Sequence, residues 1–259
     1  MDDQAVASYL RRIGLDGPAT ADLAGLSSLH RAHLLTVPFE NLSIHLDEPI
    51  SLTEADLLAK VVTRNRGGFC YELNGLFALL LEALGARVRR VAARVYEQDR
   101  LGPPFDHLAL VVTGADGSGP WLADVGFGSH SVCPLRFDER GEQPDPGGLF
   151  ELVDVEHGDV EVRRDGKPQY LVERRERSLA EFRPTCWWQA TSPESHFTAG
   201  TICSRLTPDG RVSISGRTLI RTGDGSRVEE QLVTDGAVLA AYREHFGINL
   251  ERVPERAST

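Results

Sequence analysis

The stretch of this chain best suited to chemistry is a cysteine set behind two glycines and ahead of an apolar run, Arg66-Gly67-Gly68-Phe69-Cys70-Tyr71-Glu72-Leu73-Asn74-Gly75-Leu76-Phe77. A thiol becomes a useful nucleophile as its thiolate, and the unpaired N–H groups of a helix start lower its pKa. Gly67 and Gly68 let the backbone approach closely, and the Cys70 amide is placed to donate to an oxyanion. The competing reading is a buried cysteine that packs on a core helix as a small hydrophobe.

Such a nucleophile needs a base, and there are eight histidines to choose from. His107 opens the apolar stretch Asp106-His107-Leu108-Ala109-Leu110-Val111-Val112, and Asp124 interrupts the next one, Trp121-Leu122-Ala123-Asp124-Val125. If Thr113 and Pro120 flank a hairpin loop, His107 faces Gly126 and Asp124 is its diagonal neighbour. Diagonal neighbours lie about 7–8 Å apart at the backbone, within reach of an imidazole and a carboxylate. An aspartate in an apolar strand is costly unless a partner satisfies it, so a His107–Asp124 hydrogen bond fits both residues. A strand-end histidine in solvent and a turn or capping carboxylate remain the alternatives.

The elements that must position these groups change in kind near residue 87. Before it the pattern is helical: Val6, Tyr9, Leu10 and Ile13 recur at helical spacing, Thr20 caps a short helical turn, and Ser27 caps a helix over 28–35 that Pro38 ends. Residues 38–44 read as irregular or extended, and an amphipathic helix capped by Ser51 or Thr53 covers 53–62. After Cys70, the residues Leu73, Leu76, Phe77, Leu80, Leu81 and Leu84 form one apolar stripe, with Gly85 at the left-handed stop.

Beyond residue 87 the period is two. Strands are expected at 89–96, 107–112, 121–125, 149–155, 160–164 and 169–173, with Asp116-Gly117, His157-Gly158-Asp159 and Asp165-Gly166 as turns. Short antiparallel strands at this density suggest a small barrel or curled sheet. A short helix over 178–183 stopped by Pro184 follows, then strands at 211–215, 217–222 and 227–233 and a helix over 235–246 stopped by Gly247.

The 259 residues are 41% hydrophobic and 25% charged, with a formal net charge of −10. That balance argues against nucleic acid or an anionic membrane as partner, while backbone amides or a local cluster can still hold an anionic small molecule. The longest apolar run, 76–81, is too short to span a bilayer, and the protein reads as cytoplasmic. Cys133, Cys186 and Cys203 lack a glycine turn or helix start beside them and read as inert reduced thiols, with neither a disulfide framework nor a zinc ribbon indicated. His30 and His33 stand one helical turn apart without a third ligand, so no metal is expected. Trp187 and Trp188 read as core or linker-anchoring residues, and Glu40 and Arg66 either as a buried pair positioning the cysteine turn or as separate surface charges.

The Arg66–Phe77 motif resembles the nucleophile motif of the arylamine N-acetyltransferases. Val37-Pro38-Phe39-Glu40-Asn41-Leu42, Asp106-His107-Leu108, Asp124-Val125-Gly126-Phe127-Gly128 and Ser192-Pro193-Glu194-Ser195-His196-Phe197 follow in that family's order. The resemblance spans residue 1 to about 205. It implies an α+β fold: a helical N-terminal domain over 1–86 carrying the nucleophile, an antiparallel β-barrel middle domain over 87–190 carrying His and Asp, and a linker with a small α/β C-terminal lid over 191–259. At its centre would lie a cysteine-protease-like Cys-His-Asp core of Cys70, His107 and Asp124.

The resemblance further implies ping-pong transfer of an acetyl group from acetyl-CoA, through acetyl-Cys70, to an arylamine, hydrazine or hydroxylamine nitrogen, a setting of xenobiotic metabolism. Acetyl-CoA would be a co-substrate, with no permanently bound cofactor. Gly126, Phe127, Gly128 and Ser129 would lie beside the CoA path, although a plain tight turn is the simpler reading of the glycines alone. Phe39, Phe69, Phe127 and Phe197 would wall the acceptor pocket, with simple packing the alternative for Phe197. Relatives that close macrolactams from a carrier-bound polyketide thioester offer an alternative with a carrier protein as partner. Cysteine hydrolases of transglutaminase or papain-like type, and a binding domain without catalysis, are further alternatives.

Overall fold

The computed structural model describes residues 1–17, 19–97 and 100–255, so residues 256–259 of the expected C-terminal segment lie outside the described residues. Helices Asp3–Arg12, Leu23–Thr36, Leu42–His45, Glu54–Leu58 and Cys70–Ala83 come first. The carboxylate of Asp22 caps the second by accepting from the Gly25 amide. A single helix therefore replaces the expected turn after Thr20 and the helix starting at Ser28. Its buried face is Leu26, Leu29, His30 and His33, which fixes the whole span at once. Thr53 caps Glu54–Leu58 as expected, but the chain continues as a π-helical turn over Ala59–Thr63.

Cys70–Ala83 is the central helix. Its apolar stripe is fully buried at Leu73, Leu76, Phe77, Leu80 and Leu81, each contributing about 1.5–3 kcal/mol relative to exposure. Glu72 and Asn74 are buried as well, because the helix is enclosed by other helices on one side and by a sheet on the other.

The sheet is nine-stranded and antiparallel. Its order is Leu135–Arg136, Trp121–Ala123, His107–Thr113, Arg87–Glu97, Lys167–Arg177, Val160–Arg164, Gly148–Asp154 and Gln143–Asp145, with Arg100–Leu101 paired to Arg87–Glu97. The Gln143 side chain nearly closes it into a barrel: its amide accepts from the Arg136 N–H at 2.7 Å and donates to the Arg136 carbonyl at 3.0 Å, joining the two edges. The pairs Leu135–Arg136 and Gln143–Asp145 are too short to carry a period and were not expected.

A five-stranded sheet of Phe39–Glu40, Ile202–Thr207, Gly210–Ser215, Thr218–Gly223 and Ser226–Gln231 packs under the helix Asp235–Phe246. Phe39–Glu40, expected to be irregular or extended, is the edge strand of this sheet, and Phe39 also bridges to Gly68 in the cysteine turn. Pro184 does not stop a helix. It lies in the first turn of Arg183–Thr191, where a missing N–H costs nothing. Cys186 and Gln189 face inward from that helix, so Trp187 points out and is 69% exposed rather than core.

Candidate active site

The hairpin register is the one anticipated from its flanking residues: Leu110 pairs with Ala123, Val111 with Leu122 and Val112 with Trp121. Asp124 thus falls one residue past its strand, diagonal to His107, and His107 Nε2 lies 2.7 Å from Asp124 Oδ2. Both are buried, which disposes of the solvent-exposed histidine, while Asp124 serves the turn amide of Gly126 as well as His107. Burial alone would raise the Asp124 pKa, but the charge and hydrogen bond of His107, with help from His130 and Asn74, hold it well below the usual carboxylate range. Asp124 Oδ1 accepts from Asn74 Nδ2 at 2.8 Å and from the Gly126 amide at 3.0 Å. The Asp124 amide donates to His30 Nε2 at 3.1 Å, so the proton of that ring sits on Nδ1, facing the Val132 carbonyl at 3.0 Å.

Cys70 is the first residue of its helix and 3% exposed, with Sγ 4.0 Å from the carbonyl of Asp106, the residue preceding His107. Here the structure departs from expectation: burial pushes the thiol up rather than letting the helix start pull it down, and the carboxylates of Asp106 and Asp124 add to the rise. The helix start is already served by an acid of its own, because Glu72 Oε2 accepts from the Phe69 amide at 3.3 Å while Lys60 Nζ holds Glu72 Oε1 at 2.7 Å. Ionised sulfur in this enclosure therefore needs a cation beside it.

The turn before Cys70 is held from below. Arg66 and Glu40 form a buried two-pronged pair at 2.9 and 3.2 Å, extended by Arg66 Nη1 to Glu48 at 3.0 Å. Glu40 also accepts from the amides of Gly67 and Leu42. Burial would raise its carboxyl, but Lys60 and Arg66 bring it down to about 2. A side chain at Gly67 would strike the Pro38 carbonyl at 1.8 Å, and one at Gly126 would meet Cys70 Cα and Asn74 Nδ2, both at 2.8 Å. The second contact brings the segment after Asp124 directly onto the cysteine.

The expected pocket residues fall into two groups. Phe197 stands 5.4 Å from Phe69 and 6.1 Å from Phe39 between ring centres. Phe127 meets His107 edge-on at 5.3 Å and packs against Tyr170 and His130. Gly128 links the groups, since its backbone closes on the Phe39 ring, and Ser129 is exposed beside Arg164. Ser195 Oγ donates to Gln189 Oε1 and Gln189 Nε2 to Asp106 Oδ1, both at 2.5 Å, tying the segment that carries Phe197 to the strand start of His107.

Sequence reasoning passed over Asn74, Lys60 and Gln189, and weighed His30 only as a metal ligand. Asn74 and Lys60 carried a usable signal, being polar residues that interrupt apolar faces and must find partners if buried. His33 turns away from His30 to Tyr9, at 2.8 Å. Cys186 and Cys203 are buried and Cys133 half-buried, their thiols pushed up by burial. A cavity of about 1120 Å³ lined by Ile44, Ile50, Leu179, Pro184 and Trp187 lies apart from Cys70, His107 and Asp124.

A family model described as N-acetyltransferase matches residues 22–254. The arylamine N-acetyltransferase of Mycolicibacterium smegmatis is 35% identical over 257 residues, covering 95% of this chain and 92% of that protein. The solved structure of the M. smegmatis arylamine N-acetyl transferase superposes with a TM-score of 0.88 at 33% identity, over 96% of this chain and 93% of that one. The Mycobacterium marinum arylamine N-acetyltransferase in complex with CoA superposes with a TM-score of 0.86 at 33% identity, over 94% and 93%. Sequence, fold and the buried cysteine, histidine and aspartate together lead to one assignment: this chain belongs to the arylamine N-acetyltransferase family.

Proposed function

We propose that the protein transfers an acetyl group from acetyl-CoA to the nitrogen of an arylamine, arylhydrazine or hydroxylamine through acetyl-Cys70. The observation that carries this is the buried His107–Asp124 pair, 2.7 Å apart, with Gly126, two residues beyond Asp124, pressed against Cys70. Nε2 of His107 is engaged by Asp124, which leaves Nδ1 for the thiol. Because burial keeps a lone thiol neutral, the proton passes from Sγ to His107 within the pair, and Asp124 stabilises the imidazolium.

The sulfur then forms a bond to the acyl carbon, the C–S bond to CoA breaks, and the departing CoA thiolate takes the proton back from His107. In the second half, the amine nitrogen attacks acetyl-Cys70 while His107 takes its proton. The Cys70 sulfur leaves and is reprotonated. Phe39, Phe69, Phe127 and Phe197 supply flat apolar walls suited to an aromatic acceptor, and we place CoA along Gly126–Ser129. Among the described residues no helix is long and apolar enough to cross a membrane, and the cysteines are free, which supports a cytosolic setting.

Intact-mass analysis after incubation with acetyl-CoA should show one acetyl group on Cys70, discharged by an added arylamine or hydrazine. An unmodified Cys70 would sink this reading. An adduct formed only from a carrier-bound thioester would instead point to the amide-synthase relatives.

A further inference from the structure

Arg164 and Arg211 come from different sheets yet flank the same edge of the site. Arg164 ends the strand Val160–Arg164, and its Nη1 lies 3.5 Å from both the carbonyl and Oγ of Ser129, two residues beyond the Phe127 that stands on His107. Arg211, in the strand Gly210–Ser215, donates from Nη1 to Ser204 Oγ at 3.0 Å. Ser204 pairs with Phe39, the ring on which Gly128 closes. The two guanidiniums therefore bracket the seam between the nine-stranded and five-stranded sheets. Lys167, the cross-strand partner of Arg164, adds a third cation on the same face.

Gathering like charges at such a seam is unfavourable unless an anion joins them. Carboxylates are abundant in a chain with 38 acidic and 28 basic residues. Arg66, buried behind the cysteine turn, has Glu40 and Glu48, and Arg140 and Arg174 share Asp154. Among the described residues, however, no carboxylate forms an ion pair with Arg211, and Arg164 has only its exposed neighbour Asp165, at 3.6 Å. Burial and the nearby charge of Arg164 push the Arg211 guanidinium down to about 10, the behaviour of a cation without a counter-ion.

We propose that Arg164 and Arg211 are the clamp for the phosphate groups of CoA at the mouth of the site. Planar guanidiniums offer paired N–H donors that match phosphate oxygens, which a neutral seam could not do. The assignment rests on the acetyl-CoA reading above and gives it the anion-binding side chains that Gly126–Ser129 lack.

The test uses Arg164→Gln and Arg211→Gln, singly and together, in the full chain. Each single variant should raise the Kd for CoA and the KM for acetyl-CoA by about tenfold or more, as expected for a lost charge-assisted hydrogen bond, and the double variant by more. Acetylation of Cys70 by p-nitrophenyl acetate, a donor without phosphate, should stay at the wild-type rate, which also shows that the variants fold. The wild-type preference for CoA over pantetheine should collapse in the double variant. A KM for acetyl-CoA within about twofold of wild type in the double variant would overturn the clamp. The two readings separate cleanly. If wild-type protein acetylates Cys70 and the variants keep their KM, the clamp alone falls; if the variants lose CoA binding but wild-type Cys70 is never acetylated, the transfer reading alone falls.

Discussion

Asn74 Nδ2 lies 2.8 Å from Asp124 Oδ1, and Asn74 stands one helical turn below Cys70 on the same helix. The same amide donates to the Leu108 carbonyl at 2.6 Å and accepts from the Val125 N–H at 2.9 Å. One side chain thus holds the residue after His107, the carboxylate of Asp124 and the residue after Asp124. The spacing between the thiol on the helix and the His–Asp pair on the sheet is consequently set by helix geometry.

Asn74→Ala should cut kcat/KM for acetyl transfer by about 10–100-fold, the worth of roughly 1.5–3 kcal/mol for a buried hydrogen bond to a charged group. Asn74→Asp keeps the shape and the acceptor for Val125 but places a second carboxyl beside Asp124. It should be more impaired at neutral pH than near pH 5, where the new group carries a proton and donates again. A pH profile of kcat/KM identical in shape to wild type would show that Asn74 does not act on Asp124.

His107 should control the reactivity of the thiol. Burial pushes Cys70 up on its own, so the thiolate depends on the imidazolium formed beside it. In His107→Gln, alkylation of Cys70 by iodoacetamide should be slow at neutral pH and rise only above about pH 9, whereas the wild-type thiol should react well below its ordinary titration range. Equal alkylation rates at neutral pH in the two proteins would refute the pairing.

Acid should unfold the protein in two windows. His130 is neutral in the fold, its pKa lowered from 6.5 to about 4 chiefly by burial. The stability this confers is complete above pH 6.5 and is lost as pH falls toward about 4, amounting to about 3 kcal/mol. Glu40 goes from 4.5 to about 2, so its share, also about 3 kcal/mol, is present above 4.5 and lost toward pH 2. Glu72 and Asp106 are raised by burial and oppose the loss by binding protons in the folded state. Tm measured against pH should therefore fall below about 6.5 and again below about 4.5. His130→Phe should make the upper window shallower, leaving the share of His30 and His33, which burial also pushes down. Glu40→Gln should make the lower one shallower, leaving the share of Asp124, while costing about 3–5 kcal/mol at neutral pH, because it leaves the buried Arg66 with Glu48 as its one carboxylate.

The parts of this site that were legible in the sequence are those with a period or a local rule. The register of His107 against Asp124 followed from two hairpin flanks, and the cysteine helix from one apolar stripe with its glycine stop. What escaped depends on contacts between elements far apart in the chain. A two-residue strand such as Phe39–Glu40 has no period of its own and exists because Ile202–Thr207 supplies its hydrogen bonds. Arg164 and Arg211 each look like ordinary alternating strand residues until two sheets meet at Phe39 and Gly128. A helix start favours an anion only where solvent or a cation shares the task, and the enclosure that pushes the Cys70 thiol up is not visible in a motif.

Gly126 gives the most direct test of how the two halves of the site meet. Its amide donates to Asp124 Oδ1 at 3.0 Å, and the place where a methyl group would sit is only 2.8 Å from both Cys70 Cα and Asn74 Nδ2. Backbone of the cysteine helix cannot yield as a flexible side chain would, so Gly126→Ala must push the segment after Asp124 away from Cys70. That movement strains the Asn74–Asp124 bond and displaces His107 from the sulfur together. Overpacking of this kind costs about 1–3 kcal/mol of stability, but misplacing a reacting pair by about 1 Å costs on the order of 100-fold in rate. The expected result is a protein that stays folded with a modestly lower Tm, while acetylation of Cys70 by acetyl-CoA and by p-nitrophenyl acetate slows to a similar extent. That pattern separates Gly126 from Arg164 and Arg211, whose loss should spare the phosphate-free donor. If Gly126→Ala slowed only the reaction with acetyl-CoA, Gly126 would serve the donor's path alone and would have no part in aligning Cys70 with His107.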